Sequence, residues 1–269
     1  MNRTKYPWLN GPKKNIHDQA GTNSDRAVYF GFDRVSEKEK ARKVYQHFET
    51  IARQYDLMNT VLSFGIHHLW KRAAVDLMGL NPGDRVLDLC GGTGDLAVLA
   101  DRRVRPSGRV VLYDINSAMI QAGKCKPSYR RARKRVDYIR GDALRISFCD
   151  QTFDAAMVGF GIRNVPSIRQ GFSEMYRILR PGGKMMCLEF SRPTSAVFRW
   201  LYDVYSYYGM PFLGEVIVGS RKAYTHLPAS IRTFPLPHEL TAMLKNIGFS
   251  RVTQRNLTNG IAVIHLAEK

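Results

Sequence analysis

The chain reads as an α/β protein: a mostly parallel seven-stranded sheet with helices on both faces and an antiparallel last strand. Three observations predict it. Five short apolar runs alternate with helical patterns between Arg85 and Glu189, the rhythm of a parallel sheet buried on both sides. The first run enters a glycine turn directly, and a helix leaves that turn. The last two strand patterns, Arg251–Leu257 and Gly260–Ala267, stand so close in sequence that they form a hairpin.

The elements follow in order. Residues 1–32 are polar, contain Gly and Asn, and lack periodicity, so they read as an arm or partly ordered lead-in. Residues 33–80 read as a helical cap. Ser36 and Glu39 form a capping box for a helix through Ala41, Val44, Phe48 and Ile51, and apolar positions over Leu69–Leu80 continue the helical pattern up to Asn81-Pro82-Gly83. Residues 81–269 form the core. Its strands are Arg85–Leu89, Arg109–Tyr113, Val136–Arg140, Phe153–Val158 and Lys184–Glu189; the helices between them are Gly94–Val104, Ser117–Lys124 and Ile168–Leu179. Pro181-Gly182-Gly183 reads as a turn between the last of these helices and its strand. Residues 191–236 break the rhythm with an aromatic insertion that includes Phe198, Trp200, Tyr202, Tyr205 and Phe212; Leu240–Ile247 is helical again.

Composition narrows the function classes. With 44% hydrophobic and 24% charged residues the chain is globular, and no apolar stretch reaches the roughly 20 residues that span a bilayer. The polar, basic start does not resemble a secretory signal. Cys90, Cys125, Cys149 and Cys187 lie far apart and form no CxxC, which argues against a zinc site or a disulfide framework and for a reducing cytoplasm. The +18 net charge, dense at Lys124–Arg145, suits nucleic acid, an anionic membrane face or an anionic ligand.

The sharpest motif is Val86-Leu87-Asp88-Leu89-Cys90-Gly91-Gly92-Thr93-Gly94-Asp95. Its glycines permit positive φ and close backbone approach to a ligand. It lacks the third glycine of a dinucleotide fingerprint, and the acid at its helix start would repel a pyrophosphate. A cationic or zwitterionic nucleoside fits better. Asp114, about 20 residues on, can accept both ribose hydroxyls, and Asp142 can receive the adenine amino group.

At these residues the sequence resembles class I S-adenosylmethionine-dependent methyltransferases: Asp88–Asp95, Tyr113–Asn116, Gly141–Ala143 and Gln151–Asp154 carry the likeness. Arg53–Asn59, Leu62–Arg72, Gly159–Val165, Leu188–Pro193 and Leu227–Pro235 narrow it to the UbiE/MenG quinone C-methyltransferases. The resemblance runs from about Gly31 to Ala267 and implies a Rossmann-like fold with S-adenosyl-L-methionine as methyl donor. It implies an acceptor that is a reduced prenylated quinone, demethylmenaquinol or a ubiquinone precursor, methylated at a ring carbon. Donor contacts fall on Tyr55, Asp88, Gly92, Thr93, Gly94, Asp114, Ile115, Asp142 and Ala143; acceptor contacts on Asp56, Asn59, Phe64, Phe160, Tyr202 and Tyr205. His68, Ser220 and His226 depart from the family pattern on the substrate side.

A sulfonium methyl is electrophilic already, so the reaction calls for no metal; it needs alignment, exclusion of water and an electron-rich acceptor carbon. Arg163 and Asn164 follow the fourth strand. Arg163 is too basic to take a proton but can steady a phenolate or orient a water. His68, Tyr224 and His226 are candidates to relay the proton. A polyprenyl acceptor brings the protein to an anionic bilayer surface, so the expected location is cytoplasmic, peripheral at the inner membrane face. Nucleic acid is the disfavoured partner. Methylation of another small phenol, RNA methylation and a non-catalytic role remain the competing readings, and the sequence leaves the oligomeric state open.

Overall fold

The computed structural model describes residues 27–31, 33–128, 135–218 and 221–269, without the side chains of 218 and 221–226. Seven strands form the central sheet: β3 (Arg85–Leu89), β4 (Arg109–Asp114), β5 (Val136–Arg140), β6 (Phe153–Gly159), β7 (Leu179–Phe190), β8 (Ser250–Leu257) and β9 (Ala262–Glu268). Their order is β5-β4-β3-β6-β7-β9-β8. The first five run parallel, and β9 is inserted antiparallel between β7 and β8.

Alternation along the strands builds two cores. Val86, Val110, Leu112, Met157 and Leu188 point to the face covered by α3 (Ile66–Leu77) and α4 (Asp95–Val104). Leu87, Leu89, Tyr113, Val158 and Cys187 point to the face covered by α6 (Ile168–Ile178) and α10 (Pro237–Ile247). Because both faces are buried in the middle of the sheet, β3, β4, β6 and the second half of β7 are mainly apolar, which is why they were legible in the sequence.

Two details sharpen the sequence reading and one, at Pro181-Gly182-Gly183, departs from it. The last residues of the expected arm are ordered: β1 (Ala27–Phe30) pairs antiparallel with β2 (Asp33–Ser36), leading into α1 (Glu37–Ile51). Ser36 caps α1 as expected, its Oγ accepting from Glu39 N at 3.2 Å. Pro181-Gly182-Gly183 does not separate helix from strand but lies within β7 as a wide bulge, where pairing with β6 jumps from Phe153–Leu179 to Ala155–Lys184. Gly182 takes φ 75° there, and its amide donates to Lys269 O at 2.9 Å. The aromatic insertion is helical: α7 (Ala196–Val204), a π-turn (Tyr205–Gly209), α8 (Met210–Val218) and α9 (Arg221–Thr233). Met210 packs with Met58 and Leu62 of α2 (Tyr55–Leu62), joining the insertion to the cap.

Candidate active site

A cavity of about 390 Å³ lies beyond the carboxyl ends of β3, β4, β5 and β6. Its floor is the loop Cys90–Thr93, in which Cys90 and Gly92 hold positive φ. Asp114 ends β4 and grips this loop: Oδ2 accepts from Gly92 N and Oδ1 from Asn116 N, each at 2.8 Å. Burial raises the Asp114 carboxyl above its ordinary range, against the lowering effect of these amides. Asp88 is more deeply enclosed. Its Oδ2 accepts from Ala97 N at 2.9 Å, whereas Oδ1 is buried without a partner among the described residues. Burial pushes this carboxyl up to about 8. Asp142 spends Oδ1 on Leu144 N at 2.9 Å and lines the cavity together with Ile115 and Ala143. Of the expected donor contacts, Gly94 alone does not line it; at φ 84° Gly94 precedes α4, where a Cβ would meet Leu112 and Tyr138.

The cap roofs this cavity with Ala41, Val44, Tyr45 and Phe48 of α1. Several of its ties to the core lie beside the cavity. Lys40 Nζ donates to Val165 O at 2.9 Å, and burial brings that ammonium down to about 8. Asn116 Nδ2 donates to Tyr45 O at 3.0 Å. Asp56 is held by Lys126 at 2.8 Å and by the Thr93 hydroxyl at 2.7 Å. Asp56 is therefore turned to the donor loop, not to the acceptor side expected for it; the basic residue that holds it lay too far away in sequence to be foreseen. The acid Asp95 is likewise already paired, with Lys71 at 2.7 Å and closely with Lys126. Burial opposes its ionisation, but the two ammonium groups outweigh burial and hold the carboxyl below its usual range. The loop thus carries no free negative charge from Asp95. His67, His68 and Asp95 bring three potential metal-ligand atoms within 4.8 Å of one another, yet both Asp95 oxygens are occupied by ammonium groups.

A second chamber of about 180 Å³ adjoins the first, and Phe48, Tyr55, Phe160 and Asn164 line both. Asn59, Phe64, Tyr202 and Tyr205, expected on the acceptor side, line the second. Tyr205 Oη donates to Leu62 O at 2.9 Å, while burial raises the Tyr202 phenol to about 12 and leaves its hydroxyl without a partner among the described residues. Arg163 lines the chamber too. Its Nη1 bonds Glu189 Oε2 at 2.9 Å and, closely, Phe160 O, and the guanidinium lies 5.4 Å over the Phe190 ring. Burial, only partly offset by Arg163, raises the Glu189 carboxyl. Arg163 Nε and Asn164 Nδ2 are buried with no partner among the described residues.

His68 lines neither cavity; its ring stacks on His67 at 3.8 Å on the outer side of α3. Two histidines line the chamber, His47 of α1 and His67 of α3, and His67 is the more enclosed at 3% exposed. The sequence did carry this signal: His67, Trp70, Lys71, Ala74, Val75 and Met78 recur at helical spacing and are all buried. Tyr224 and His226 belong to α9, but their side chains lie outside the described residues. Lys71, Lys126 and Lys40 were missed because each serves the site through contacts remote in sequence.

The fold and the donor cavity define a class I S-adenosylmethionine-dependent methyltransferase. Within that class the chain belongs to the ubiE/COQ5 methyltransferase family, which it matches over residues 35–269. It is 41% identical over 245 residues to "Ubiquinone/menaquinone biosynthesis C-methyltransferase UbiE" of Pseudomonas fluorescens (strain SBW25), covering 91% of this chain and 96% of that one. Against the protein of the same description from Pseudomonas putida (strain W619) it is 42% identical over 251 residues, 93% and 98% of the two chains. Among solved structures, the [4+2]-cyclase SpnF shares the fold at TM-score 0.62 and 15% identity, over 85% of this chain and 95% of that one. A Thermotoga maritima S-adenosylmethionine-dependent methyltransferase does so at 0.58 and 17%, over 84% and 99%. The family binds S-adenosyl-L-methionine, and the first cavity lies beyond the carboxyl ends of the strands, where open α/β sheets hold their ligands.

Proposed function

We propose that the chain methylates a ring carbon of a reduced prenylated quinone, demethylmenaquinol or the equivalent ubiquinone precursor. The observation that carries this reading is the pair of cavities meeting at Phe160 and Asn164, the second mostly apolar with a few unpaired buried polar atoms. That is the chemistry of an aromatic ring bearing polar oxygens. The names borne by the Pseudomonas relatives agree.

When bound, the donor supplies an electrophilic sulfonium methyl. The chain's residues do the rest. The shared wall of Phe48, Tyr55, Phe160 and Asn164 sets the two ligands edge to edge, and the roof of α1 excludes water. Arg163, fixed by Glu189, keeps Nε free to donate to a ring oxygen as negative charge develops there. In the balanced reaction the ring carbon gains the methyl, sulfur keeps the electron pair of the broken bond, and one proton is released as the ring regains aromaticity.

Contact with an anionic bilayer is part of the same proposal. No helix among the described residues is long and apolar enough to cross a membrane. Val197, Trp200, Leu201, Val204, Tyr208, Phe212 and Val216, however, recur at helical spacing along the insertion and are exposed. Phe64, on the chamber wall, is 77% exposed. Such a stripe suits an interfacial helix that delivers a lipid-borne ring to the chamber.

The test is incubation with radiolabelled S-adenosylmethionine and detergent-dispersed demethylmenaquinone, reduced and oxidised in parallel, with an RNA control. Label on a ring carbon of the reduced acceptor alone is the expected result. Donor binding without that label, or label in RNA, overturns the reading.

A further inference from the structure

We propose that His67 makes the acceptor chamber selective for the reduced ring: its Nδ1 accepts a hydrogen bond from a ring hydroxyl, which a quinone carbonyl cannot supply. The inference rests on the reading of the acceptor as a hydroquinone.

The tautomer follows from Thr60. Its hydroxyl has one proton and lies 2.9 Å from Asp56 O, an acceptor with no hydrogen of its own. The 3.2 Å contact between Thr60 Oγ1 and His67 Nε2 then runs from the ring N–H to the hydroxyl oxygen. A neutral imidazole protonated at Nε2 carries its lone pair at Nδ1. That atom is buried and has no partner among the described residues, on a residue that lines the chamber. Burial, reinforced by the nearby charge of Lys71, brings the imidazole down to about 3, so the ring stays neutral.

The other unpaired groups of the chamber do not discriminate. Arg163 Nε only donates, and hydroxyl and carbonyl oxygens both accept. The Tyr202 hydroxyl can donate or accept, and the Asn164 amide can present either end. Of these unpaired groups among the described residues, His67 Nδ1 is the one fixed as an acceptor. Opposite a hydroxyl it is satisfied; opposite a carbonyl two lone pairs face each other in a site with little water, and both stay unpaired. A buried polar group left unpaired in this way weakens binding about tenfold or more.

The experiment is anaerobic titration of the full chain, saturated with S-adenosylhomocysteine to prevent turnover, with a short-chain 2-prenyl-1,4-naphthoquinone and its hydroquinone. Quenching of Trp70, which lines the chamber, reports binding. Wild type is expected to prefer the hydroquinone about tenfold or more. His67→Gln keeps a nitrogen for Thr60 but has no acceptor in place of Nδ1, and His67→Asn places an amide there that can turn its NH2 to a carbonyl; in both, the preference should fall to within about threefold of unity. S-adenosylhomocysteine affinity reports folding of each variant. A wild-type preference near unity, or one unchanged in both folded variants, overturns the role of His67. If wild type still methylates the reduced acceptor, only this inference falls; if it binds neither ring form, the acceptor reading falls and takes this inference with it.

Discussion

Replacing Arg163 by Met separates its role as a strut from its role in the reaction. The Arg163 and Glu189 side chains are 7% and 3% exposed, so the change leaves a carboxyl buried beside apolar neighbours with its counter-charge gone. Breaking such a pair from one side costs about 3–5 kcal/mol. For a chain of this size that lowers the melting midpoint by roughly 10 °C. The deficit should depend on pH with a definite sign. Glu189 already has a carboxyl raised by burial, and loss of Arg163 raises it further. A raised folded-state carboxyl contributes stability that is present below its unfolded value and lost as pH rises through the folded one. Urea melts at about pH 5.5 and about pH 8 should therefore show the larger deficit at the higher pH. Arg163→Met with Glu189→Gln removes the orphaned charge and should recover most of the loss at both. Equal deficits at the two pH values, without recovery in the double variant, would refute the argument. Turnover by the recovered double variant decides the chemistry: a fall of about 10²–10³ in kcat is expected if Nε steadies the ring oxygen. Wild-type turnover would make Arg163 a strut alone.

Other perturbations probe the donor side and the surface. Asp114→Ala frees Gly92 N and removes the carboxylate expected to accept from the ribose; calorimetry should show donor affinity falling about 10- to 100-fold with acceptor affinity unchanged. In the donor-free protein Asp88→Asn should flatten the pH dependence of stability. Because burial raises Asp88 to about 8, its contribution is present below the unfolded carboxyl range and lost as pH rises through about 8, so the variant gains on wild type over that window, by up to several kcal/mol. At Gly123 a Cβ would sit 2.7 Å from Thr93 O, so Gly123→Ala should push the donor loop aside and lose about 1–3 kcal/mol along with donor affinity. Gly182→Ala meets nothing within 4 Å and should lose only about 1 kcal/mol to its left-handed backbone. Trp200→Glu with Phe212→Glu should abolish sedimentation with anionic vesicles while sparing turnover of a tail-less acceptor; equal losses on both acceptors would count against the membrane stripe.

The sequence by itself determined the sheet, the donor loop and the places of Asp88, Asp114 and Asp142. Those features depend on local patterns: apolar runs set by two-sided burial, a glycine turn set by backbone φ, and acids at the ends of successive strands. It also held the inward position of His67, through the spacing it shares with Trp70, Ala74 and Met78. Only the tertiary structure decided which charges are free. Asp56 and Asp95 look available in one dimension; Lys126, which reaches both from the bend after α5 (Ser117–Lys124), and Lys71, which reaches Asp95 from α3, neutralise them. The same holds for Lys40, whose partner Val165 is 125 residues away. Pairing across such distances leaves no periodic trace, because a salt bridge fixes a distance in space and places no demand on spacing along the chain.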